Sequence, residues 1–74
     1  MDKQTIELIE HLEKERLEVA LKITGFDELL NSSKKDSISS RGINLLADQL
    51  GFLRSLRACI QERIKLARHE AGGL

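Results

Sequence analysis

Apolar residues in this chain recur in alternating steps of three and four along two long stretches, and no proline interrupts them. The C-terminal series is Ile43, Leu46, Leu50, Leu53, Arg57, Ile60, Ile64, Ala67 and Ala71. The N-terminal series is Ile9, Leu12, Arg16, Val19, Ile23, Phe26 and Leu30. This is the heptad spacing of left-handed helix packing, and a strand with its period of two cannot follow it. Between the two series, Asn31 through Ser37 gathers turn and cap formers whose side chains compete with helical backbone bonds. The pattern predicts an all-α protein, a single domain over residues 1–74. One helix covers about residues 4–30, a hinge about 31–40, and a second helix about 41–71, stopped by Gly72 and Gly73. Ser37, Ser39 or Ser40 can cap the second helix. A hinge this short forces an antiparallel αα-hairpin.

Size then bears on assembly. A chain of 74 residues with one cysteine has no internal disulfide to brace it. Below ~70–80 residues a single core rarely contributes more than ~3–5 kcal/mol. Leu45, Phe52, Leu56, Cys59 and Leu66 widen the apolar face of the second helix, and Leu17, Leu21 and Leu29 that of the first. Two helices cannot bury faces so wide, and the expected state is a homo-oligomeric helical bundle. Cys59, on that flank and without a matched histidine, reads as a core residue.

Charge excludes several classes of function. Twelve basic residues balance twelve acidic ones, so no net charge draws the chain to nucleic acid or a membrane surface. No apolar run approaches the ~20 residues of a membrane span, and the N-terminal stretch has no signal-peptide core, which points to a cytoplasmic protein. The halves differ, however. Residues 2–30 hold four basic and eight acidic residues, whereas residues 51–71 hold five basic and two acidic. Docking of an acidic helix on a basic one accounts for this without a ligand. His11 and His69 lie in different helices with no second histidine one turn away, so no metal site is expected. Neither a phosphate-binding glycine loop nor a dinucleotide fingerprint is present, and no catalytic residue and no cofactor are assigned.

Two arginines interrupt the apolar seams. If the hairpin closes tightly, facing residues carry numbers summing to about 72, which sets Arg16 and Arg57 at one level. Guanidinium groups keep their charge, so such a layer needs compensation. Glu13, Glu15, Gln61 or Glu62, or a carboxylate of another copy, can supply it. So can a bound anion, most naturally a phosphate. Gly25 and Gly51 fall near each other by the same rule and imply either close helix approach or a gap beside Phe52 for a planar ligand.

Two family resemblances follow from these residues. Glu15 to Phe26, then Leu45-Leu46, Gln49-Leu50, Leu53, Glu62-Arg63-Ile64 and Leu66, resemble short helical hairpins of crAss-like and related phages. Gln49, Gly51-Phe52-Leu53 and Arg57-Ala58 resemble the last helix of the anti-CBASS protein 2 family, with Cys59 where isoleucine is usual. Members of that family are small phage proteins that sequester cyclic oligonucleotide signals without cleaving them. The resemblance implies a cytoplasmic phage anti-defence protein, an oligomer that binds a nucleotide second messenger. Arg57 would neutralise phosphate, helped by Arg16, Arg54 or Lys22. Phe52 would pack on the base, Gly51 would allow close approach, and Gln49 belongs to the matched motif. Two other readings are open: a hairpin dimer that binds RNA along Arg54, Arg63, Lys65 and Arg68, and an inhibitor docking its apolar face on a host protein.

Overall fold

The computed structural model describes residues 2–72, with side chains to residue 70. Helix α1 spans Lys3–Leu30, a 3₁₀ segment spans Ser33–Ser37, and helix α2 spans Ser40–Gly72; no strand occurs among the described residues. The stop expected at Gly73 and the seam side chain of Ala71 lie outside the described residues.

Polar side chains set the helix ends. Asp2 caps α1, its carboxylate accepting from the Thr5 backbone N–H at 2.7 Å. That bond holds the Asp2 carboxyl below the ordinary carboxylate range. At the other end the Asn31 backbone N–H and side-chain amide both donate to the Asp27 carbonyl, at 3.0 and 2.9 Å. Through the hinge, Ser32 donates to the Leu29 carbonyl and accepts from the Lys34 N–H, while Ser37 donates to the Lys34 carbonyl. Ser39 caps α2, its hydroxyl accepting from the Gly42 N–H at 3.1 Å. A side chain at Gly42 has no room, since a Cβ there would lie 2.7 Å from Cγ2 of Ile38. Ile38 thus closes over the start of α2.

The seams meet as the heptad spacing requires. Leu12, Val19 and Ile23 of α1 pack with Leu50, Ile60 and Ile64 of α2, and Phe26, Leu30 and Leu53 lean on them. Leu12 and Ile60 are the most deeply buried. The molecule measures 53 × 14 × 14 Å, with a radius of gyration of 16.6 Å. A compact domain of this length would have about 11 Å. Helix α1 is therefore wrapped on one side only.

The register differs from the tight closure expected. Asp27 pairs with Arg54, Glu13 with Arg68, and Arg16 shares a groove with Gln61, Ile64 and Lys65, so the residues brought together carry numbers summing to about 77–81 rather than about 72. The 3₁₀ segment occupies chain that a tight turn would not, and α2 begins well beyond the end of α1. Arg16 therefore stands beside Gln61, Ile64 and Lys65 rather than beside Arg57. The two arginines do not share a layer. About four to eight residues separate them along the bundle, roughly 6–12 Å. Nor do the glycines mark a close approach: a Cβ on Gly25 or Gly51 would meet nothing within 4 Å.

Candidate functional site

Each helical residue turns the next by about 100°, which sorts the candidate residues into two groups. On α2, Gly51, Arg54 and Arg57 follow one another by three residues and share a face. Gln49 and Phe52 share another, turned by about 140° from Arg54 and Arg57 respectively. Both are exposed, and Phe52 retains 75% of its surface. On α1, Arg16 and Lys22 point about 120° apart. The two interhelical ion pairs lie on the face that carries Arg16, Arg54 and Arg57. The residues expected to form one ligand site are thus divided: the arginines and Gly51 on one side, Phe52, Gln49 and Lys22 on the other.

The arginine face is built of cations in unequal states. Arg54 donates to both oxygens of Asp27, at 3.1 and 3.4 Å. Arg68 donates to Glu13, and Lys65 to Glu62 at 3.3 Å. Glu13 and Glu62, two of the candidates to compensate the seam arginines, are thus spent on other cations, while Glu15, the third carboxylate candidate, forms no ion pair among the described residues. Among the described residues, neither Arg16 nor Arg57 forms an ion pair. Arg57 is half-buried in its seam, whereas Arg16 is exposed.

Arg16 opens onto a surface groove of about 360 Å³ lined by Glu13, Arg16, Gln61, Ile64, Lys65 and Arg68. Arg68 pairs with Glu13 and Lys65 with Glu62, so Arg16 is the uncompensated charge of this groove. Its volume falls within the ~300–1,000 Å³ of small-ligand sites. Gln61, Lys65 and Arg68 were not among the ligand residues expected from sequence. Their signal was present: at spacings of four and three beside the α2 seam, they occupy its flank where it meets α1. A second groove, of about 340 Å³, borders Gly25 with Glu28, Leu29, Ser32 and Lys34. Phe52 is not part of it.

Cys59 is a free, exposed thiol and not a core residue, because the α2 flank it occupies faces away from α1. Among the described residues no group of three or more His, Cys, Asp or Glu side chains is arranged to hold a metal ion. Among the described residues no helix is long and apolar enough to cross a membrane.

Comparison with known families gives a match to Sequestin across residues 7–66, a span that includes the first seam, the hinge and the second seam as far as Ile64. The chain belongs to the Sequestin family. A search of curated proteins and of solved structures finds no match to it. The Sequestin match covers Arg16, Gln49, Gly51, Phe52, Arg54 and Arg57, while Arg68 of the groove falls two residues beyond it.

Proposed function

We propose that this Sequestin-family protein is a non-catalytic phage anti-defence protein. It binds a nucleotide immune signal, of the cyclic oligonucleotide or cyclic ADP-ribose type, and withholds it from its effector. The observation that carries this reading is the pair of seam arginines, Arg16 and Arg57, left without a carboxylate on a face whose other cations are already paired. A guanidinium offers a fork of donors that fits phosphate oxygens, and Arg57, half desolvated, gains most from a mobile anion. The family's name, that of a sequestering protein, supports the same reading. Arg16 holds one phosphate in its groove, and Arg57 holds another farther along the rod. Gly51 keeps the surface beside them open. Stacking by Phe52 is not part of this site, because it lies on the other face.

Isothermal titration of the purified protein against cyclic di- and trinucleotides and cyclic ADP-ribose isomers tests the proposal. Micromolar or tighter binding is expected with one class. Replacing Arg57 or Arg16 by alanine should weaken it about 10–100-fold, the worth of one charge-assisted hydrogen bond. Absence of heat with every ligand would end the reading. RNA binding that falls steeply with salt would transfer the same arginines to an RNA backbone.

A further inference from the structure

Helix α2 carries a second heptad series that α1 does not cover. Leu45, Gln49, Phe52, Leu56, Cys59, Arg63 and Leu66 follow one another in steps of four and three, about 110° around the helix from the core seam. All are exposed in the hairpin, with Leu45 and Leu66 at 56%, Phe52 at 75% and Leu56 at 43%. The corresponding line on α1 runs through Leu8, His11, Glu15, Glu18, Lys22 and Leu29 and is mostly polar, so it offers no such seam. An uncovered heptad seam on one helix is built to receive another helix.

The order of residues in this seam selects the occupant. It reads nearly the same in both directions about Leu56. An antiparallel pairing of α2 with α2 of a second copy, centred there, sets Leu45 level with Leu66 and Phe52 level with Cys59. The two polar members, Gln49 and Arg63, then face each other twice, once on each side of the axis. Arg63 has no ion pair among the described residues of its own hairpin, and the Gln49 carbonyl gives it an acceptor. Self-complementarity of one patch is what a two-fold interface demands. A parallel pairing would instead stack Arg63 on Arg63.

We infer that the second seam of α2 is the site at which two copies of this chain pair, antiparallel and two-fold, as a four-helix bundle. The inference stands on the seam and makes no use of the arginine face, which remains on the outside of the dimer. It also explains why the candidate residues separate as they do: Phe52 and Gln49 serve the pairing, and the arginine face is left free of it.

Sedimentation equilibrium of the full chain at micromolar concentrations should give a dimer. Leu56→Glu, at the axis, should give monomer. Because a lone hairpin of this size risks unfolding, the decisive series is at Gln49, which is exposed and leaves the core intact. Gln49→Glu should tighten the dimer about tenfold by placing a carboxylate at each Arg63, and Gln49→Arg should loosen it by about as much. Gln49→Arg combined with Arg63→Glu should restore it. Mild oxidation should leave Cys59 uncrosslinked, since an antiparallel pair separates the two thiols by roughly 10 Å along the axis, beyond a disulfide's span. A monomer at all concentrations, indifference of the dimer to the Gln49 series, or efficient Cys59 crosslinking would each overturn the pairing. None of these outcomes depends on whether a nucleotide binds.

Discussion

Gly42 and Gly51 sit on the same helix and tolerate opposite changes. A methyl group at Gly42 would run into Ile38, whereas at Gly51, as at Gly25, it would meet open space. Gly42→Ala should therefore lower the thermal midpoint, the overpacking cost of ~1–3 kcal/mol exceeding the gain in helix propensity. Gly51→Ala and Gly25→Ala should each stabilise by about 1 kcal/mol, an increase of about 4–8 °C for a domain of this size. A rise in midpoint for Gly42→Ala would mean that Ile38 does not close over α2. Asp2 makes a pH prediction at the same scale. Its carboxyl is depressed by the Thr5 N–H, so the charged cap is favoured above the unfolded value and lost as pH falls through the folded one. The protection of the amides at residues 3–6, taken relative to intrinsic exchange at each pH, should fall on acidification below pH ~4. Asp2→Asn should keep the cap and remove that dependence.

The two helices are held by few contacts, and each matters. Leu12→Ala or Ile60→Ala removes a fully buried side chain, at a cost of ~2–5 kcal/mol. That equals the whole stability expected of a core this small, so either variant should show largely lost helical circular dichroism at 37 °C unless assembly or ligand compensates. The ion pairs differ in kind. Arg54 and Asp27 remain 53% and 41% exposed, and a double-mutant cycle between them should read below ~1 kcal/mol and shrink in salt. They indicate register more than they provide stability. Register is also where sequence was least informative. The seams from Ile9 to Leu30 and from Ile43 to Ala67 were legible because heptad spacing survives any local context. The level at which they meet depends on how nine hinge residues fold in space, and Ser32, Ser37 and Ser39 bond to backbone groups in a way that spacing does not encode. The expectation that Arg16 and Arg57 share a layer failed at that step. That they lack carboxylates did not depend on it. The exposure of Cys59 was missed for a related reason: an apolar flank looks the same whether its own hairpin or another chain covers it.

As a whole the protein is a rod one helix pair thick, with its binding candidates on the outside rather than in an enclosed cavity. Small-angle scattering at high dilution should approach the 16.6 Å radius of gyration of the single hairpin, and association should change it with concentration. The thinness has another effect. Among the described residues only Ile9, Leu12, Val19, Ile23, Leu50, Ile60 and Ile64 are buried, and most of the exposed positions can change their chemistry without disturbing the packing that defines the shape. A protein so made can exchange one surface for another while seven anchors keep its shape.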